Sequence, residues 1–124
     1  MSKKMLIVDD EESILFALSD FFSTKGFEVD CARELEEAEQ LLRKNRYTVA
    51  IADLRLTGIN GTEGLELISY VREKSPGTKV LLLTAYGSQE IQAEANRRGV
   101  DAFLQKPKPL SEVANVVSSM LGTN

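Results

Sequence analysis

Three short apolar runs in this 124-residue chain stop abruptly on groups that can do chemistry. Met5-Leu-Ile-Val8 stops at Asp9-Asp10, Val49-Ala-Ile-Ala52 at Asp53, and Val80-Leu-Leu-Leu83 at Thr84, while a further strand-like segment, Val100 to Leu104, stops just before Lys106-Pro107. Brought together, these ends would gather three carboxylates, a hydroxyl and an ammonium. Carboxylates in close company repel, and at least one pKa rises unless positive charge offsets the repulsion. Lys106 supplies one such charge. A divalent cation supplies more, and Mg2+ suits a site that offers one or two carboxylates and leaves room for waters and phosphate oxygens. Taken singly, each residue has a plainer reading: Asp9-Asp10 as a helix cap and acidic first turn, Asp53 and Thr84 as caps, Lys106 as a solvated lysine. Capping explains the first pair but not Asp53 together with Lys106.

The elements that must position these groups follow from the apolar pattern. Val49 to Ala52 shows no polar alternation, which predicts a strand covered on both faces, inside a parallel sheet. Met5 to Val8 and Val80 to Leu83 read the same way, whereas Phe27-Glu-Val-Asp-Cys31 alternates and predicts an edge strand. Between the strands, Ile14, Leu18, Phe21 and Phe22 mark one face of a helix ending at Lys25-Gly26. Leu35, Ala38, Leu41 and Leu42 mark a second helix closing near Asn45, and Leu65, Ile68 and Val71 a third running to Pro76-Gly77. Residues 87–99 are helical but polar, with Ile91 and Ala95 almost the only inward positions, so this helix is expected to pack loosely. A last helix carries Leu110, Val113, Val117 and Leu121. Five strands alternating with five helices predict an α/β fold with a parallel sheet, right-handed crossovers and helices on both faces. In such a sheet the carboxyl ends of all strands lie along one edge, where ligands collect.

Composition bounds the rest. The length suits one domain over residues 1–124 with its own core. With 15 basic and 19 acidic residues, mixed along the chain, a net charge of -4 argues against direct nucleic-acid binding. Cys31 is the only cysteine, which excludes an internal disulfide, fits a reducing compartment and is read as a core filler. The basic opening leads into too short an apolar stretch for a signal peptide, and no segment approaches a membrane span, so a cytoplasmic location without membrane association is expected. The chain has no histidine, so any histidine chemistry in its working cycle must come from another molecule.

Asp9-Asp10, Asp53, Thr84-Ala85, the aromatic Phe103 and Lys106-Pro107, in this order and over the whole length, resemble the receiver domains of two-component response regulators. Together these motifs are specific; any one alone is weak. The resemblance implies a five-stranded parallel sheet in the order 2-1-3-4-5, with Asp53 as nucleophile toward a phosphohistidine on a partner kinase or phosphotransfer protein. It implies Mg2+ held by Asp10, Asp53 and the backbone carbonyl of Arg55, with Asp9 acting through water. Lys106 would pair with Asp53 and then with the phosphoryl group, and Thr84 would bond a phosphoryl oxygen while Phe103 fills the space it leaves. Arg55 and Tyr86 occupy the rate-tuning positions, and the Lys106-Pro107 bond is implied to be cis. The loosely held fourth helix, with the apolar excess of Val116 and Met120 on the last helix, points to a partner or self-association surface on the fourth helix, fifth strand and fifth helix.

Three departures from the family pattern stand out. Leu56-Thr57 replaces a frequent Met-Pro, Lys108 a frequent Phe, and Thr62-Glu63-Gly64 reads as an insertion that starts the third helix early or bulges it. Competing readings are a Mg2+-dependent phosphohydrolase with an aspartyl nucleophile, a flavin binder of the same architecture, and an interaction module that needs no phosphorylation. The first expects an Asp-x-Asp pair rather than adjacent aspartates. In the second, Asp9-Asp10-Glu11-Glu12 would repel the flavin phosphate, and the third leaves intact Asp10, Asp53, Thr84 and Lys106 unexplained.

Overall fold

The structure is a computed structural model and describes residues 3–55 and 61–122. Its elements alternate as β1 (Lys3–Val8), α1 (Glu12–Thr24), β2 (Phe27–Ala32), α2 (Leu35–Lys44), β3 (Val49–Ala52), α3 (Glu63–Lys74), β4 (Lys79–Thr84), α4 (Gln89–Arg97), β5 (Ala102–Gln105) and α5 (Leu110–Met120). The strands form one parallel sheet in the order β2-β1-β3-β4-β5.

Period-two alternation on the buried strands builds two cores at once. Met5, Ile7, Val49, Ile51, Leu81 and Leu83 face α1 and α5, where they meet Leu15, Leu18, Phe22, Val113 and Val117. Leu6, Val8, Ala50, Ala52, Val80 and Leu82 face the other way, against Ala38, Leu42, Leu65, Ile68 and Val71 of α2 and α3 and Ala95 of α4. Each large side chain so buried contributes roughly 1.5–3 kcal/mol, and this two-sided burial is why the central strands show no polar alternation. β2 lies at the edge, as its alternation predicts. Cys31 corrects the core-filler reading: it is exposed, because it sits on this outermost strand beyond the cover that the helices give the central ones.

At the amino-terminal end of the sheet Arg72 ties three elements together. Its guanidinium donates to the carbonyls of Pro76 (2.9 Å) and Thr78 (2.7 Å) and to Asp101 Oδ2 (2.7 Å), which also accepts from the Val80 N–H at 2.8 Å. The end of α3, the start of β4 and the α4–β5 turn are thereby held in register. The expected loose packing of α4 is visible: Ala95 is its only buried residue, and Ile91 is partly covered. Ser88 caps α4 by accepting from the Ile91 N–H at 3.1 Å, and Glu94 bonds both Arg97 and Arg98, which pulls its pKa down. No described helix is long and apolar enough to cross a membrane.

Candidate functional site

Parallel register aligns the strand ends. Val8 is paired with Ala52 and Ala32, so Asp9 and Asp53 each lie one residue past the last rung, their N–H groups bonded to Ala32 and Val8 at 3.0 Å. Asp9 and Asp53 are buried, at 3 % and 5 % exposure, while Asp10 faces solvent. Lys106 reaches back from the end of β5: Nζ donates to Asp9 Oδ2 at 2.8 Å and to Asp53 Oδ2 at 3.2 Å. Its backbone N–H donates to the Thr84 carbonyl at 2.8 Å, and the Lys106–Pro107 peptide bond is cis.

The electrostatics follow from this packing. Burial pushes the Asp9 carboxyl up; Lys106 and the Glu11 N–H, which donates to Asp9 Oδ1 at 3.0 Å, pull the other way without cancelling it. Burial opposes the Lys106 ammonium, but bonds and charge from Asp9 and Asp53 outweigh it and hold its pKa above the ordinary lysine value. The ammonium is therefore a fixed charge at neutral pH. Asp53 divides its oxygens: Oδ2 is engaged by Lys106, whereas Oδ1 is buried and has no hydrogen-bond partner among the described residues.

Thr84 is fully buried, and its Oγ1 accepts from the Tyr86 N–H at 3.1 Å rather than bonding either carboxylate. Phe103 packs partly against the α2–α3–α4 core, with its ring against Gly87: a Cβ there would lie 2.8 Å from Cζ. Arg55 and Tyr86 come together in a way their sequence separation does not announce. The Arg55 guanidinium stacks over the Tyr86 ring at 4.1 Å, joining the β3–α3 and β4–α4 connections. Leu56 and Thr57, the pair that departs from the frequent Met-Pro, lie outside the described residues.

Gly64 is the site residue that sequence reasoning missed. Grouped with Thr62 and Glu63 as an insertion, it also makes a close contact: its N–H donates to the Leu54 carbonyl at 2.9 Å, and a Cβ would lie 2.3 Å from the Asp53 carbonyl oxygen. The helix starts at Glu63, with Glu63 itself buried and accepting from the Gly61 N–H at 3.3 Å. A glycine beside an acidic residue in a turn-rich stretch carries no signal of such an approach.

Oxygens of Asp9, Asp10 and Asp53 lie within 4.8 Å of one another. An all-oxygen set of this kind fits a hard divalent cation, whose charge would offset the repulsion among the three carboxylates. The geometry thus joins a buried carboxylate, with one oxygen unpartnered among the described residues, to a fixed cation and a cluster of three carboxylates able to hold a divalent ion, equipment suited to attack on an anionic electrophile. A family model described as the response regulator receiver domain matches residues 5–118. The chain belongs to this family. Among curated proteins the receiver domain is similar to the response regulator protein PilR of Pseudomonas aeruginosa, 34 % identical over 119 residues, covering 96 % of this chain and 26 % of that protein. The chain thus spans about a quarter of that relative's length. Among solved structures it is similar to a CheY-like receiver domain protein from Methanospirillum hungatei, with a TM-score of 0.92 and 26 % identity, covering 98 % of this chain and 95 % of that one. A response regulator from Burkholderia pseudomallei, solved with a phosphorylated aspartic acid, calcium ion and citrate, superposes with a TM-score of 0.87 and 26 % identity, covering 98 % of this chain and 69 % of that one.

Proposed function

We propose that Asp53 is the phosphoacceptor of this receiver domain, taking a phosphoryl group from the phosphohistidine of a partner sensor kinase or phosphotransfer protein. The observation that carries this reading is the division of labour at Asp53: Lys106 holds Oδ2, and Oδ1 has no hydrogen-bond partner among the described residues. Oδ1 attacks phosphorus, the P–N bond to the donor imidazole breaks as the P–O bond forms, and the imidazole leaves with the bonding pair and takes up a proton. Lys106 then turns from the carboxylate to the transferred group. Phosphoryl transfer asks for positioning and charge neutralisation rather than covalent help, and the absence of histidine from these 124 residues supports a donor imidazole outside this domain. Asp10, Asp53 and the Arg55 carbonyl would hold Mg2+, with Asp9 acting through water. When bound, the ion neutralises carboxylate repulsion and the charge on the phosphoryl oxygens. The domain is self-modified rather than a turnover enzyme, and it acts in the cytoplasm.

Arg55 and Tyr86 set the lifetime of the phosphoryl group. Their stack bridges the two connections flanking Asp53, and both side chains are bulky enough to obstruct an in-line water. Replacing both with small polar residues is expected to shorten the lifetime about tenfold or more, a loss of roughly 1.4 kcal/mol in the barrier to hydrolysis. Decay of the phosphoprotein followed by intact mass checks this; an unchanged rate would remove both residues from control of water access.

Output runs through α4. Thr84 would leave Tyr86 to bond a phosphoryl oxygen, Phe103 would move into the space released, and α4, anchored by little buried surface, would shift with them. The surface altered is α4–β5–α5, toward a downstream protein or a second copy of the domain. Amide exchange over residues 87–99 is expected to change on adding beryllofluoride and Mg2+ to the wild-type protein, and to stay unchanged in Thr84→Ala. Identical protection in the wild type with and without the phosphoryl mimic would mean that α4 is not the switch.

A further inference from the structure

At the pole of the sheet opposite Asp53, the α2–β3 and α3–β4 connections form the walls of an open groove of about 800 Å3. Its lining carries four cations, Arg43, Lys44, Arg46 and Lys74, and no carboxylate. This is unexpected in a chain with 19 acidic residues against 15 basic ones. Cations nearby are neutralised: Lys4 pairs with Asp30 at 3.8 Å and Lys79 with Asp101 at 3.9 Å. Arg43, Lys44 and Arg46 have no carboxylate within 4.0 Å among the described residues, and Lys74 meets only its exposed chain neighbour Glu73, at 3.6 Å. Cations in the last turns of α2 and α3 complement the helix-end carbonyls, but Arg46 lies beyond its helix, and that role does not require the groove to be free of acids.

The floor of the groove is fixed by buried hydrogen bonds. Thr78, 1 % exposed, donates from Oγ1 to the Tyr47 carbonyl at 2.7 Å and shares a 2.7 Å bond with Ser75, while the Lys79 N–H donates to the Thr48 carbonyl at 3.1 Å. Both walls are thereby joined at the base, and the cations rise from a rigid frame. Two guanidiniums with planar donor forks match phosphate oxygens bidentately, and the volume lies in the range of small-molecule sites, roughly 300–1,000 Å3.

We propose that this groove binds an oligophosphate group, borne by a nucleotide or by inorganic polyphosphate. The site is independent of Asp53 and lies at the other end of every strand.

The test is calorimetric titration of the wild-type chain with ATP and, separately, with inorganic tripolyphosphate, in EDTA so that no divalent ion bridges ligand to the Asp9–Asp10–Asp53 cluster. Binding of either is expected, at least tenfold tighter than that of inorganic phosphate and weakened at least tenfold in a variant carrying Arg43→Gln and Arg46→Gln. A remote control, Lys25→Gln, should match wild type. Tighter binding of ATP identifies a nucleotide as the source, and equal or tighter binding of tripolyphosphate identifies the phosphate chain. Thermal melting checks that the double variant stays folded; if it does not, amide NMR shifts of the wild-type chain decide, expected at residues 43–48 and 74–78. No binding of either ligand, inorganic phosphate binding as tightly, affinity insensitive to the two substitutions in a folded variant, or shifts confined to other residues would overturn the proposal.

Discussion

Gly64→Ala is expected to destabilise the domain by about 3 kcal/mol, the upper part of the usual range for overpacking a tight core, and to slow modification of Asp53 in the molecules that remain folded. The methyl group would lie 2.3 Å from the Asp53 carbonyl oxygen and 2.8 Å from Leu54 Cα. Neither obstacle is a flexible side-chain tip, so α3 must retreat from the strand end or the backbone of Asp53 must move. The first lengthens the 2.9 Å bond from the Gly64 N–H to Leu54; the second displaces the carboxylate from Lys106. Urea unfolding combined with the rate of acetyl phosphate labelling reads both effects. A variant as stable and as quickly labelled as wild type would show that the start of α3 does not set the position of Asp53.

Lys106→Met is expected to cost about 3 kcal/mol at neutral pH, because breaking a buried ion pair from one side leaves uncompensated charge. Here two carboxylates, Asp9 and Asp53, lose their shared cation, whose side chain is itself only 14 % exposed. The effect depends on pH with a definite sign. Burial already raises the Asp9 pKa above its unfolded value, and Lys106 works against that rise; without the lysine the folded pKa climbs further. A raised carboxyl pKa contributes stability that is present below the unfolded pKa and lost as pH rises through the folded one. The deficit of the variant should therefore be largest at neutral pH and shrink as pH falls toward the ordinary carboxylate range. Added Mg2+ should recover part of it. A deficit independent of both pH and Mg2+ would mean that Lys106 acts through packing rather than charge.

The sheet and its strand-tip cluster were legible because each rests on a strong local signal. Val49 to Ala52 had to be covered on both faces to be stable, which fixes a central parallel strand, and Asp9, Asp53, Thr84 and Lys106 then share an edge by topology alone. What was not legible depends on atoms meeting across the fold. The close approach of Gly64 was hidden because nothing in a sequence marks a glycine that touches backbone rather than turns it. Cys31 looked buried because its type favours the core, whereas exposure is decided by how far the helices overhang the outermost strand. The stacking of Arg55 on Tyr86 follows from two connections meeting above the sheet, which no local pattern encodes.

The central claim is that Asp53 alone receives the phosphoryl group, with cation-assisted neutralisation at the strand tips. Intact-mass measurement after incubation with acetyl phosphate tests it most directly, comparing wild type in Mg2+, wild type in EDTA, and Asp53→Asn in Mg2+. Wild type in Mg2+ should gain the mass of one phosphoryl group, mapped by fragmentation to Asp53, with little gain in EDTA and none in Asp53→Asn. A full adduct persisting in Asp53→Asn, or mapped in the wild type to another residue, would contradict the account.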